Sequence, residues 1–153
     1  MSRDVASRLV TVGIAYALDR MRGLTIALWD GSVSWDEELA YVEQLAGDPE
    51  WPPGPLHLSD LTTADEFALP DPDLLIELAA AEVPPVRAAI IGPERARHTQ
   101  EFARMAQAVG TTAVVCEDVG DACAWLGIDV APTRATLEAM RAELKNLDAP
   151  ARR

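Results

Sequence analysis

Lysine, cysteine and aromatic side chains are scarce in this sequence. Its 153 residues include two Cys, and twelve of its thirteen basic residues are Arg. Between Gly23 and Val86 there is no Lys or Arg at all, against fourteen Asp and Glu, and the formal net charge is −12. A surface of this charge repels phosphate backbones, so the composition disfavours nucleic-acid binding. It suits a basic protein partner or a cation, or it serves solubility alone.

Long apolar runs are also absent. No stretch approaches the roughly 18 uncharged apolar residues of a membrane span, so no membrane association is predicted. The first residues of the sequence include Asp4 and no apolar run, so they do not have the pattern of a signal peptide. Cys116 and Cys123 are not spaced as CxxC, so two free thiols are expected, with a disulfide or metal pair as the alternative. We therefore expect a cytoplasmic protein without a cofactor.

Strands and helices are predicted to alternate along the chain. Apolar periodicity predicts strands over residues 9–17, 24–29, 56–59, 86–91 and 112–116. Capping signals predict helices that begin near Ser34, Asp71, Gly92, Asp118 and Thr133. This order predicts one α/β domain over residues 1–153, with a mainly parallel central sheet, an N-terminal β-hairpin and flanking helices.

Two of these helices have an apolar face in the sequence. In the first helix, which opens with a capping box of Ser34 and Glu37, that face consists of Trp35, Leu39, Val42 and Ala46. In the last helix, the apolar stripe consists of Leu137, Met140, Leu144 and Leu147. An isolated helix of this length is marginal in water. The stripe therefore packs on its own domain, or it forms the seam of a homodimer or contacts a partner helix.

Three stretches of the sequence together resemble a known family. They are residues 87–93 (RAAIIGP), residues 102–105 (FARM) and residues 117–127 (EDVGDACAWLG). These stretches resemble the STAS family, in particular its SpoIIAA-like branch of uncharacterised bacterial proteins. The likeness covers about residues 9–127, so residues 1–127 would form a STAS-like core and residues 128–153 a C-terminal helical extension. The resemblance implies a regulatory module that binds another protein.

One regulatory feature of the family has no counterpart in this chain. The sporulation antagonists of the family carry a switch serine after an Asp at the start of the second helix, and its phosphorylation controls binding. Residues 60–71 here contain no serine, and Thr62 and Thr63 lie early in the loop, away from the position of that serine. The resemblance therefore implies the fold without this kinase-controlled switch.

The loop after the third predicted strand is the strongest candidate site. Asp60, Asp65, Glu66, Asp71 and Asp73 lie within fourteen residues, just past the carboxyl end of a strand, where open α/β sheets bind ligands. Carboxylates of this kind hold Mg²⁺ or Ca²⁺, but the spacing matches no EF-hand, so no metal is assigned. A loop that faces a partner and a solvated loop with helix caps are the alternatives.

A protein contact surface is the leading interpretation of this region. Trp51, in the proline-rich loop before the third strand, is a candidate interface anchor because exposed aromatic side chains are favoured at interfaces. The predicted binding residues are Trp51, Asp60, Thr62, Thr63, Asp65, Glu66 and Phe67. The leading hypothesis is thus a non-enzymatic regulatory or protein-binding module.

Two other function classes stay open. An interior rich in Ala and Leu with few aromatic residues predicts an unfilled cavity, which suits a carrier of a small apolar ligand. A metal-assisted hydrolase would pair His57 or His98 with Asp60 and a nucleophile such as Ser59 or Cys116. No hydrolase motif accompanies these residues, and no catalytic residue is assigned.

Overall fold

A six-stranded sheet forms the centre of the protein. The computed structural model describes residues 5–65, 73, 86–108 and 110–151, with the backbone alone for residues 148–151. The strands follow one another across the sheet in chain order: β1 (Val5–Leu9), β2 (Ile14–Asp19), β3 (Leu24–Gly31), β4 (Leu56–Ala64), β5 (Arg87–Ile91) and β6 (Thr112–Cys116). β1, β2 and β3 pair antiparallel, whereas β3 to β6 pair parallel. The fold is α/β as predicted, but the sheet is mixed rather than mainly parallel.

The N-terminal segment differs from the single strand predicted over residues 9–17. The chain forms β1, turns at residues 10–13 and returns as β2, which pairs with both β1 and β3. Gly13 lies in this turn, where a Cβ atom would come within 3.2 Å of the Asp30 carbonyl oxygen and the Glu37 carboxylate. The predicted hairpin is confirmed as β2 and β3. The apolar alternation continues through the turn at residues 10–13, so periodicity alone does not reveal the turn.

Helices cover both faces of the sheet. The described helices are α1 (Trp35–Ala46), α2 (Arg97–Ala108), α3 (Val119–Leu126) and α4 (Val130–Ala151). α1 and α2 pack on one face, and α3 and α4 pack on the other. The predicted caps at Ser34 and Asp118 are confirmed, and Gly127 ends α3 with φ 74°. The helix predicted to begin near Asp71 lies outside the described residues.

The buried face of α1 is not the predicted one. The residues predicted to form the apolar face are half-buried or exposed, and the buried side chains are Glu38, Tyr41 and Leu45. The Tyr41 ring packs edge-to-face against the Trp29 ring of β3 and the Tyr16 ring of β2, with centroids 5.0 and 6.0 Å away. Because such aromatic contacts add to the burial of apolar area, they decide which side of α1 faces the sheet.

Most of the apolar stripe of α4 packs on its own domain. Leu137, Met140 and Leu144 are buried in the core cluster that also contains side chains of β2 to β6 and α3, whereas Leu147 is 41% exposed. α4 begins at Val130, before the predicted cap at Thr133. The Thr133 hydroxyl donates to the Asp129 carbonyl and accepts a hydrogen bond from Arg22 Nη1 at 2.6 Å. The β2–β3 turn therefore holds the first turn of α4 in place.

Candidate functional site

The predicted site residue Asp60 lies in the middle of β4, where the pairing of β4 with β5 ends. The strand continues beside β3 through Ala64, so the prediction of a loop that begins at Asp60 is wrong. β4 has one additional residue relative to β3 at this point, because Leu28 pairs with Asp60 whereas Asp30 pairs with Thr63. Asp60 Oδ1 accepts a hydrogen bond from the Thr62 main-chain nitrogen at 2.9 Å, and Oδ2 accepts one from Arg141 Nη2 at 3.3 Å. The Asp60 side chain, in a residue only 3% exposed, thereby stabilises the bulge and joins β4 to α4.

The exposed residues Thr62, Thr63 and Asp65 follow directly. The Asp65 main-chain nitrogen donates to the Gly31 carbonyl at 2.9 Å, and Asp65 Oδ2 accepts from the Ser32 hydroxyl at 3.0 Å. These bonds hold the end of β4 against the end of β3, so the two threonines stand on a fixed backbone. The other two predicted residues of this loop, Glu66 and Phe67, lie outside the described residues.

Carboxylates without a cationic partner gather at these two strand ends. Asp36, in the first turn of α1, and Asp65 are exposed, and Asp30 at the end of β3 is half-buried. None of these three carboxylates belongs to an ion pair within the described part of the chain. We call the set of Asp30, Asp36, Thr62, Thr63 and Asp65 the acidic end surface.

Three acidic residues elsewhere in the segment without Lys or Arg pair with arginines from outside it. Arg8 Nε lies 2.6 Å from Asp48 Oδ2, and Arg8 also pairs with Glu50. Arg20 Nη2 lies 2.9 Å from the second carboxylate oxygen of Glu50. Together with the Arg141–Asp60 pair, these contacts show that part of the counter-charge of the segment comes from arginines elsewhere in the chain. Among the described residues of this segment, the three carboxylates of the acidic end surface have no ion pair, and neither have Glu37 and Glu43 of α1.

The predicted anchor Trp51 lies away from the acidic end surface. It precedes β4, and the nine residues of that strand separate it from Asp65 by roughly 30 Å. Its side chain is half-buried against the core cluster beneath α1. Trp51 therefore lies before the amino end of β4, whereas Asp65 follows its carboxyl end.

An open cleft of about 550 Å³ lies beside β1, where α1 ends. Arg8, Tyr16, Gln44, Asp48 and Glu50 line it. The Tyr16 hydroxyl donates to Asp48 Oδ2 at 2.8 Å, and burial, with the Asp48 carboxylate second, raises the pKa of Tyr16 to about 12. A lining of charged and hydrogen-bonding groups does not match the apolar cavity that a carrier of an apolar ligand requires.

Glu38 is a titratable residue that the sequence interpretation did not single out. It is 2% exposed, and Trp29 Nε1 donates to its Oε1 at 3.0 Å. Burial raises the pKa of Glu38 from 4.5 to about 8, so the carboxyl group is mostly protonated at neutral pH. The Tyr41 hydroxyl, also buried, has no hydrogen-bond partner in the described part of the chain. The helical spacing of Glu38, Tyr41 and Leu45 places them on one face of α1, and this spacing was the sequence signal for the burial of Glu38.

The geometry of β4 separates the groups that a hydrolase would pair. Side chains alternate between the two faces of a strand, so His57 and Asp60 project from opposite faces. Burial lowers the pKa of His57 to about 4. Cys116 is a buried free thiol on β6, and burial raises its pKa. Within the described residues, no three His, Cys, Asp or Glu side chains are placed to share a metal ion.

Comparisons with known proteins assign no family to this chain. Neither protein-family models nor curated proteins nor solved structures match it. In the described part of the chain, no helix combines the length and the apolar character that crossing a membrane requires. The resemblance to the STAS family therefore stays a prediction, based on residues 87–93, 102–105 and 117–127.

Proposed function

We propose that this protein is a cytoplasmic, non-enzymatic regulatory module of the STAS/SpoIIAA-like type that binds a basic protein partner through the acidic end surface. In this proposal Thr62, Thr63 and Asp65 contact the partner directly, with Asp30 and Asp36 beside them. Asp60 acts indirectly, because its hydrogen bond to the Thr62 nitrogen and its pair with Arg141 fix the backbone that presents the threonines.

The separation of charges in the fold is the observation that supports this proposal. Asp48, Glu50 and Asp60 each pair with an arginine, whereas the carboxylates of the acidic end surface pair with none among the described residues. The neighbouring loop after β5 adds one charge of each sign, Glu94 and Arg95. Exposed carboxylates without a counter-ion attract basic surfaces over distances of about 10 Å at moderate salt. They lie at the end of parallel strands, where open α/β sheets bind their ligands.

Two of the stretches that carry the STAS resemblance form packing contacts in the fold. Residues 87–91 form the buried strand β5, and Trp125 stacks under the Arg87 guanidinium with 4.5 Å between charge centre and ring. Residues 87–91 and Trp125 therefore contribute to the packing of the core, and any protein with this core would share that role. The regulatory chemistry differs from that of the family, because the exposed hydroxyls at the end of β4 belong to Thr62 and Thr63 and not to a switch serine.

Site-specific photocrosslinking in the source cells tests the proposal. A benzophenone amino acid at position 63 should crosslink one protein partner, and the same probe at the exposed position Ala135 of α4 should not. The double variant Asp36→Lys/Asp65→Lys should lower the yield about tenfold, because like charges then face each other. The control Glu43→Lys/Glu138→Lys makes the same change in net charge at exposed positions elsewhere.

Two outcomes of this experiment would overturn the proposal. One is the absence of any crosslink from position 63 above the level seen from position 135. The other is an equal loss of crosslinking in both double variants, since that result would show a dependence on net charge and not on the acidic end surface.

A further inference from the structure

The outer edge of β1 is open among the described residues. β1 is the first strand of the sheet and pairs with β2 alone. The Val10 main-chain nitrogen donates to the Ile14 carbonyl at 2.9 Å. In an antiparallel pair, every second residue of a strand bonds to the same neighbour, so the main-chain groups of Ala6 and Arg8 also bond to β2. The main-chain groups of Val5, Ser7 and Leu9 then point away from the sheet. Of these, the Leu9 carbonyl accepts a long bond (3.4 Å) from the Gln44 side chain.

Side chains from both faces of the sheet flank this edge. On one face, the Ser7 hydroxyl donates to the Glu143 carboxylate of α4, 2.9 Å from Oε1. Leu147 lies one turn further along the same side of α4 and is 41% exposed. On the other face, Arg8 lines the open cleft at the end of α1. In an additional strand paired with β1, every second side chain would therefore face α4, and the remaining side chains would face the cleft.

The chemistry of the α4 side favours a basic residue. Within the described part of the chain, Glu143 forms no ion pair, and its hydrogen-bond donor is the neutral Ser7 hydroxyl. Glu143 and Leu147 are four residues apart, about 6 Å along a helix, which is close to the 6.6 Å between alternate residues of a strand. A basic residue and an apolar residue two positions apart on one strand therefore match them.

A second copy of this chain fits the edge poorly. Each copy has a net charge of −12. Antiparallel pairing of two β1 strands about Ser7 would bring the Glu143 carboxylates of both copies toward the same axis, where they repel. A segment of opposite charge avoids both penalties.

We propose that β1 is a docking strand for an extended segment of a protein partner, with a basic side chain facing Glu143 and an apolar side chain two positions away facing Leu147. The segment adds a seventh strand to the six described, and its main chain bonds to Val5, Ser7 and Leu9. This site lies at the side of the sheet, apart from the acidic end surface, and it does not depend on the function proposed there.

Selection from a random nonapeptide library displayed on phage, with the full chain as bait, tests this proposal. Enriched peptides should carry Lys or Arg two positions from Leu, Ile or Val. A synthetic peptide of the most enriched sequence should bind the Ser7→Pro variant about tenfold more weakly or worse, because proline removes the outward donor at the centre of β1. Ser7→Ala is the matched control, since it loses the hydroxyl and keeps the main-chain donor.

Two further measurements separate recognition from a folding defect. Amide exchange at Ser7 in the wild-type protein should slow when the peptide is added, and Glu143→Lys should change the enriched residue from basic to acidic. The proposal is overturned if the peptide binds Ser7→Pro as tightly as Ser7→Ala, or if Ser7 exchange is unchanged. Equal peptide binding by Asp36→Lys/Asp65→Lys is expected, so a failure here and a failure at the acidic end surface are distinguishable.

Discussion

Glu38 places a carboxyl group in the aromatic core beneath α1, where its protonation state affects folding. The pKa of Glu38 is about 8 in the folded protein, against an ordinary value of 4.5. Because the folded pKa is the higher one, the stabilisation by the protonated group is fully present below pH 4.5. It decreases as the pH rises and is lost above about pH 8. At about 1.4 kcal/mol per pH unit, the loss across this window is on the order of 5 kcal/mol.

We therefore expect Glu38→Gln to be more stable than the wild-type protein at neutral pH. Glutamine keeps an oxygen that accepts from Trp29 Nε1 and cannot ionise. The free energy of unfolding of the variant, minus that of the wild type, should increase by several kcal/mol between pH 5 and pH 8. Denaturant unfolding at a series of pH values measures this difference.

The neighbouring substitution Glu43→Gln is the control for this effect, because Glu43 lies on the exposed side of α1. Its stability difference from the wild type should stay constant over the same pH range. A difference between Glu38→Gln and the wild type that does not change with pH would contradict the assignment of a raised pKa to Glu38.

Asp60 and Glu38 show how far a single residue can be interpreted from sequence. The pattern of strands predicts the start of β4 correctly but ends it at Ser59, whereas the strand continues through Asp60 to Ala64. Arg141, the partner of Asp60, lies 81 residues further along the chain and could not be predicted from local spacing. Sequence patterns did not single out Glu38, since its burial depends on aromatic rings from β2 and β3. Burial of a charged group is a tertiary property, and local patterns do not encode it.

At the scale of elements, the loop before β4 packs directly on the turn between β2 and β3. Gly54 and Gly23 face each other, and the Leu56 main-chain nitrogen donates to the Gly23 carbonyl at 3.0 Å. A Cβ atom on Gly54 would lie 2.4 Å from Gly23 Cα and 2.7 Å from its carbonyl oxygen. Both are backbone atoms, so neither can move without shifting the turn.

Gly54→Ala should therefore destabilise the protein by about 2 kcal/mol or more, because the backbone of two elements must separate. Gly47→Ala is the matched control. Gly47 has an ordinary φ of −84°, and its Cβ atom would come no closer than 3.4 Å to its neighbours. The control should change the stability by less than about 1 kcal/mol. Chemical denaturation of both variants measures the effect, and equal stabilities would refute the contact between Gly54 and Gly23.

The elements that the sequence predicts well are those with strong local signals. β3, β5 and β6 lie within two residues of their predicted bounds, and Ser34, Asp118 and Gly127 cap helices as expected. The turn at residues 10–13 was missed because the apolar alternation of β1 continues into β2. The prediction of which face of α1 is buried was also wrong, because packing with Tyr16 and Trp29 of the sheet outweighs the apolar pattern of the helix surface.

At the scale of the whole molecule, ion pairing distributes charge unequally around the sheet. Arginines from β1 and from the turn after β2 reach Asp48 and Glu50, the two acids that follow α1. Asp30 and Asp65, where β3 and β4 end, form no ion pair with a described residue. Composition predicts the excess of negative charge correctly, but its location depends on which distant arginines the fold brings near. The acidic end surface and the open edge of β1 could therefore be defined only from the three-dimensional arrangement.

α4 belongs to the same cooperative unit as the sheet, although the resemblance to the STAS family ends before it. Leu144 is buried with side chains of β2 to β6 and α3, whereas Leu147 is 41% exposed. Leu144→Ala should lower the free energy of unfolding of the whole protein by about 2–5 kcal/mol, the range that is typical of Leu→Ala substitutions at buried positions. Leu147→Ala should change it by less than about 0.5 kcal/mol.

Denaturant unfolding of Leu144→Ala, followed by two signals, tests whether α4 and the sheet unfold together. If α4 and the sheet share one core, fluorescence of the four Trp residues, all in the segment before α4, and helical circular dichroism should report the same midpoint in Leu144→Ala. If α4 were an independent extension, the helical signal would be lost at lower denaturant and the tryptophan signal would stay at its wild-type midpoint. Coincident transitions are expected, because Leu144 is buried in the same core cluster as side chains of β3 and α3.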